Sequence, residues 1–248
     1  MAFDIRQVFG NATEVAYRSI HGDPPRTLAA IPATSQIAPH NLTMVAAIGP
    51  PSYHPLRGTW QLTRQHRRLA AILFADAVGS SRLMGKDESG TVARLLHHIG
   101  GRLGPAIERR GGRVIRLKGD GGLIEFASAV DALAAAIDFQ QAVTEANRDQ
   151  PQDSAIMFRV GIHLGDVIVD GADIYGDDVN VAARLETEAP PGGILVSRAV
   201  REAVDGRLKA TLHALGDLAL RNIERPIQAF RVEWKAEDWP VSPAAPGS

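Results

Sequence analysis

The chain has 248 residues, 45% of them hydrophobic and 22% charged, with 24 Gly, 15 Pro and no Cys. That apolar content can fill a core and excludes wholesale disorder, and the lack of cysteine excludes disulfide scaffolds, thiolate zinc sites and cysteine nucleophiles. With 27 basic against 28 acidic residues the net charge is −1, so no global electrostatic grip on nucleic acid or anionic lipid is expected.

No apolar stretch approaches the roughly 18 residues that span a bilayer. Leu42 to Ile48 is short and lacks a basic flank upstream, so neither a membrane span nor a signal peptide is expected, and the chain reads as cytoplasmic. Residues 1–66 carry Pro24, Pro25, Pro32, Pro39, Pro50, Pro51 and Pro55, which interrupt any helix or central strand. This segment reads as loosely ordered, with a short helix over Ile5 to Ser19. Arg64, His66, Arg67 and Arg68 then form a basic cluster, read as a solvated linker, with a local contact to lipid or RNA as the alternative.

From Leu69 the signals alternate between strand and helix. The apolar run Leu69 to Ala75 predicts a strand buried on both faces. Val92, Leu95, Leu96, Ile99, Leu103 and Ile107 recur at helical spacing, weakened by Gly100, Gly101 and Gly104, bent at Pro105 and ended by Gly111-Gly112. Arg113 to Lys118 and Leu123 to Phe126 predict a hairpin around Gly119-Asp-Gly-Gly122. Ser128 with Asp131 marks the start of an Ala-rich helix running to about Ala146. Strands follow at Ile156 to His163 and Asp166 to Val169, a helix at Asp178 to Glu188, and strands at Ile194 to Ser197 and Ala229 to Trp234. The tail, residues 236–248 with Pro240, Pro243 and Pro246, reads as unstructured. One α+β domain at 67–235, a mixed sheet with packed helices, carries the fold.

Three features point to chemistry. Asp76 ends the first buried run and Asp120 sits in the hairpin turn. A carboxylate at a strand end beside a Gly-rich turn can hold Mg²⁺ while leaving positions open for phosphate. Taken singly, Asp76 also fits a loop cap and Asp120 an ordinary turn residue. The backbone N–H groups of Val78, Gly79 and Ser80, ahead of a helix start, are candidates to receive phosphate oxygens. Asn180 and Arg184 are four residues apart and share a helix face. An amide with a guanidinium suits a ribose and a phosphate, the alternative being a solvated polar stripe. Val181, Ala182 and Leu185 would face the core.

Four stretches together resemble the class III nucleotidyl cyclase catalytic domain, the adenylate and guanylate cyclase family: Leu73 to Ser80, Gly112 to Phe126, Phe158 to Asp166 and Asp173 to Glu186. The likeness covers about residues 67–234, with the stretches in the family's order and at its spacing. The resemblance implies a mainly antiparallel sheet on a ferredoxin-like core and the conversion of ATP to 3′,5′-cyclic AMP and pyrophosphate. By the same resemblance Asp76 and Asp120 would bind two Mg²⁺ or Mn²⁺ ions, Asp173 would help select the purine, Asn180 would orient the ribose and Arg184 would stabilise charge at the reacting phosphate. It further implies a head-to-tail homodimer whose metal aspartates come from one chain and whose base-selecting pair, Asn and Arg come from the other. Where adenylate cyclases usually carry a Lys four residues before the second metal Asp, this chain has Arg116, longer and planar. It is expected beside Asp173, and it keeps GTP open as substrate and a non-catalytic nucleotide-binding dimer open as a role. His97-His98 reads as a surface pair unable to share one metal, and His163 has no nucleophile partner evident in sequence.

Overall fold

The computed structural model describes residues 66–151 and 154–239; the expected helix over Ile5 to Ser19 and the end of the Pro-rich tail lie outside the described residues. In chain order the elements are β1 (His66–Ala77), α1 (Ser80–Met84), α2 (Glu88–His98), a π-helical stretch (Ile99–Leu103), α3 (Gly104–Arg109), β2 (Arg113–Lys118), β3 (Gly121–Phe126), α4 (Ala129–Asn147), β4 (Phe158–Asp170), β5 (Asp173–Tyr175), α5 (Asp177–Glu188), β6 (Ile194–Ser197), α6 (Arg198–Val204), β7 (Thr211–Leu218), β8 (Ile227–Glu233) and a 3₁₀ turn (Ala236–Asp238). The strands form one sheet in the order β2-β3-β1-β4-β6-β8-β7, with β5 paired to β4 off that path. Among the described residues only β4 and β6 run parallel. The α+β, mainly antiparallel architecture is the one expected. Among the described residues no helix is long and apolar enough to cross a membrane.

The apolar run at Leu69 becomes the centre of β1, where Ala70, Ala71, Ile72 and Leu73 are at most 1% exposed. Period-2 alternation sorts its side chains. Ala71, Leu73, Ala75 and Ala77 enter the large core under α2, α3, α4 and α6. Ala70 and Ile72 enter a second core with Val167, Ile174, Val179 and Ala182, under α5. The sheet is therefore the middle of three layers, and Asp76 shares the α5 face. Ser128 caps α4 by accepting the Asp131 N–H at 3.4 Å.

α5 lies against β4 because two glycines let it. Gly161 and Gly165 are even-spaced and so lie on one face. A Cβ at Gly161 would stand 2.1 Å from Glu186 N and 2.4 Å from Ala182 O, and one at Gly165 would stand 2.2 Å from an Asp178 carboxylate oxygen. The four residue steps from Gly161 to Gly165 span about 13 Å and the eight steps from Asp178 to Glu186 about 12 Å, so helix and strand run alongside each other, antiparallel.

Several expectations need correction. His66, Arg67 and Arg68 are not a linker: they pair with Val169, Ile168 and Val167, and Arg68 meets Glu125. The two strands predicted between Ile156 and Val169 are one, since β1 pairs across Leu164-Gly165 without interruption. The long glycine-weakened helix resolves into α2, the π-helical stretch over Ile99–Leu103 and α3. His98 is not at the surface; it is 6% exposed, edge-on to Phe158 at 5.8 Å, and burial lowers its pKa to about 4. β7 and α6 were not foreseen, because β7 is a largely exposed edge strand with an irregularity at Ala214/Gly216 and α6 is only seven residues long. Order also continues past Lys235: Trp239 is 9% exposed, packs in the large core and donates its indole N–H to Lys209 O at 3.0 Å.

Gly161→Ala forces a methyl into α5 backbone. The expected result is a loss of about 1–3 kcal/mol in denaturant unfolding, with Gly100→Ala, whose Cβ would meet nothing within 4 Å and whose backbone is outside the positive-φ region, costing less.

Candidate active site

The antiparallel register of β1 with β3 sets Asp76 opposite Gly121, and Ala77 N–H donates to Asp120 O at 3.0 Å. The two aspartates, 44 positions apart in sequence, thus meet at one end of the sheet. The approach demands glycine: a Cβ at Gly121 would stand 2.4 Å from Ala75 O and 2.6 Å from Asp76 Oδ1. Ser80 is buried and donates its hydroxyl to Asp120 Oδ2 at 2.6 Å, fixing that carboxylate's orientation.

Burial, and then the charge of Asp120, push the Asp76 pKa from 3.8 to about 6. Glu186 on α5 goes from 4.5 to about 7, first by burial and then by the Asp76 charge. Arg159 opposes both shifts. It stands opposite Asp76 in the β1–β4 register and reaches Thr187 O at 3.4 Å. Neither aspartate is hydrogen-bonded or ion-paired to a cationic side chain among the described residues. Two close carboxylates at a strand end are the hard oxygen donors that Mg²⁺ or Mn²⁺ takes, and such ions complete their shell with water and phosphate. No cluster of three or more His, Cys, Asp or Glu suited to a metal occurs among the described residues. The residues present fit the ions the sequence implied.

Of the proposed phosphate donors, the Val78 N–H is not free: it donates to Met157 O at 2.8 Å. Gly79 takes φ 65°, and α1 behind it has only five residues, so Gly79 and Ser80 remain as the loop's candidates.

Arg116 and Asp173 do meet. Arg116 Nη2 lies 2.9 and 2.7 Å from the two carboxylate oxygens of Asp173. Ile174 N–H donates to Oδ1 at 2.9 Å and Tyr175 Oη to Oδ2 at 3.1 Å. Burial alone would raise its pKa, but these bonds and the Arg116 charge hold the Asp173 carboxyl below the usual range.

Asn180 is exposed and Arg184 half-buried on α5, while Val181, Ala182 and Leu185 are buried as expected. No hydrogen bond or ion pair among the described residues joins Asn180 or Arg184 to Asp76 or Asp120. The chain alone therefore assembles the acid pair and the Arg116–Asp173 pair, without a direct bond from the amide or guanidinium of α5 to the acids among the described residues.

His163, without an evident partner in sequence, has two in space. Its Nδ1 lies 2.7 Å from Ser197 Oγ and its Nε2 3.2 Å from Asp178 Oδ1, and Asp178 Oδ2 accepts the Asp166 N–H at 2.6 Å. Ser197 is 2% exposed, so this chain of bonds ties β4, β6 and the start of α5 and offers no accessible nucleophile. Sequence reasoning also gave no role to Glu186, Arg159, Gly161 or Gly165. The even glycine spacing in β4 signalled a closely packed neighbour; nothing local signalled the acid–base contact.

Residues 62–233 match the family of the adenylate and guanylate cyclase catalytic domain. "Putative adenylate cyclase 3" of Rhizobium meliloti is 47% identical over 172 residues, 69% of this chain but 29% of the relative, so the chain spans under a third of that protein. The crystal structure of an adenylate/guanylate cyclase/hydrolase from Silicibacter pomeroyi is 40% identical and superposes with TM-score 0.63, covering 67% of this chain and 97% of the other. The adenylyl cyclase CyaB of P. aeruginosa shares the fold at 23% identity and TM-score 0.62, over 70% of this chain and 97% of that one. The chain belongs to the adenylate and guanylate cyclase catalytic domain family.

The raised Asp76 pKa has a signed consequence. A folded-state pKa of about 6 against 3.8 means the neutral form is favoured by folding, so its stabilising effect is fully present below about 3.8 and is lost as pH rises through about 6. In metal-free buffer Asp76→Asn should melt close to the native protein near the acid end of that window, at about pH 4, and above it at pH 8. A melting difference that does not grow with pH contradicts this.

Proposed function

We propose that the protein is an adenylate cyclase, converting ATP to 3′,5′-cyclic AMP and pyrophosphate as a cytoplasmic head-to-tail homodimer with two composite sites. The observation that carries the reading is the meeting of Asp76 and Asp120 at the end of β1 and β3, with neither carboxylate hydrogen-bonded or ion-paired to a cationic side chain among the described residues. Asp76 and Asp120 would hold two Mg²⁺ or Mn²⁺ ions, which when bound lower the pKa of the ribose 3′-hydroxyl and neutralise triphosphate charge. Ser80 keeps Asp120 turned for that task. Asn180 of the second subunit orients the ribose by hydrogen bonds from its amide. Arg184 beside it, a planar guanidinium with several donors, faces the charge that builds at the α-phosphate as the bond to pyrophosphate lengthens. Neither is bonded to the acid pair of its own chain among the described residues, which supports a site shared between subunits.

Asp173 and the 47% identical relative named as an adenylate cyclase support adenine. A specific observation favours the rival base. Both oxygens of Asp173 already accept two hydrogen bonds each, which fills a carboxylate's capacity, and the neighbouring Arg116 offers donors of the kind that suit guanine O6 and N7. Parallel turnover of ATP and GTP separates the two.

Asp76→Ala and Arg184→Ala should each abolish cyclic nucleotide formation. Mixed and allowed to exchange subunits, they should recover roughly a quarter of the native rate, because half of randomly paired dimers hold one intact site of two. Full activity of either variant alone refutes its assigned role, and no recovery on mixing refutes the shared site.

A further inference from the structure

Glu125 on β3 is 3% exposed and carries a carboxylate, a placement that persists only if the charge is met from both sides. It is met. Arg68 on β1 brings Nη2 to 2.5 Å from Oε1, a close ion pair. Arg113 on β2 donates Nε at 3.1 Å and Nη2 at 2.7 Å to Oε2. The three residues belong to the three strands at one edge of the sheet, and the register places them together, Glu125 lying opposite Arg113 on one side and Ile72 on the other.

Arg113 has one more donor, and it leaves the sheet. Nη1 donates to Ala172 O at 2.8 Å. Ala172 sits in the tight turn between β4 and β5, where Asp170 pairs with Asp173 and Gly171 takes φ 59°. The next residue is Asp173, which Arg116 grips from the same strand as Arg113. One guanidinium thus joins a buried carboxylate to the backbone of the turn that presents Asp173. β5 has three residues, too few to fix that turn by strand pairing alone.

We propose that Arg113, braced by Glu125 and Arg68, is a positioning residue for base recognition: it pins the Ala172–Asp173 turn so that the Asp173 carboxylate and the Arg116 guanidinium present one fixed edge to the purine. This rests on the cyclase reading above. Arginine is required because its planar fork reaches the carboxylate and the carbonyl at once, whereas a lysine ammonium is a single point donor on a flexible stem. Arg113 acts on the base and not on the reacting phosphate, so its loss should weaken nucleotide binding and blur the choice of purine while leaving the chemical step intact.

The test compares native protein, Arg113→Ala and Arg113→Lys. Glu125 keeps Arg68 in both variants, and a melting curve reports any general loss of stability. ATP and GTP are measured by Mn²⁺-supported turnover and by equilibrium dialysis. Arg113→Ala should raise the KM and the dialysis Kd for the preferred nucleotide about tenfold, the order expected for one charge-assisted hydrogen bond. It should also move the ATP-to-GTP ratio towards one and leave kcat within about twofold. Arg113→Lys should keep the native melting temperature and still lose preference. Unchanged affinity and preference in Arg113→Ala overturns the proposal, as does a fall in kcat and melting temperature with the base ratio intact, the pattern of a purely structural residue. Absence of cyclic product from the native protein would sink the cyclase reading instead, and the dialysis comparison would still decide the role of Arg113.

Discussion

Two carboxylates of like charge are forced together where β1 and β3 end, and the rest of the site is arranged around that repulsion. The sheet register sets Asp76 against Gly121, the turn returns the Asp120 carbonyl to Ala77 N–H, and glycine at 121 removes the side chain that would keep the strands apart. Burial, and then the charge of Asp120, push the Asp76 pKa up to about 6. The unfavourable proximity makes sense as a grip awaiting positive charge.

Placement of the second set of groups follows from backbone contact between α5 and β4. With Gly161 and Gly165 bare, the helix rests on the strand along its length, and His163 locks its start through Asp178. The helix then has a buried side of Val181, Ala182 and Leu185 and a solvent side bearing Asn180. Glu186 turns the other way, into the field of the two aspartates. One helix thus feels the acids of its own chain through Glu186, and on the proposed reading Asn180 and Arg184 would serve the partner's site.

Much of this was legible in the sequence because it is local. The buried run of β1, the Ser128 cap, the glycine turn at Asp120 and the four-residue spacing of Asn180 and Arg184 each have a short-range signature, and their order along the chain carried the family resemblance. What stayed hidden depends on partners distant in sequence. The basic residues at 66–68 look like a linker until β4 and Glu125 are placed beside them, Val78 N–H looks free until Met157 arrives, and His98 looks exposed until Phe158 packs against it. β7 was missed for a different reason: an edge strand exposed along most of its length, with an irregularity in its middle, has too weak an alternation to register.

The account stands or falls on whether the acid pair grips divalent ions. Electron paramagnetic resonance of Mn²⁺ with ATP present, comparing the native chain with Asp120→Asn, asks this directly. Tight, saturable Mn²⁺ binding beyond that of ATP alone in the native protein, lost in Asp120→Asn at unchanged fold, is the predicted result; equal binding in the two proteins would contradict it.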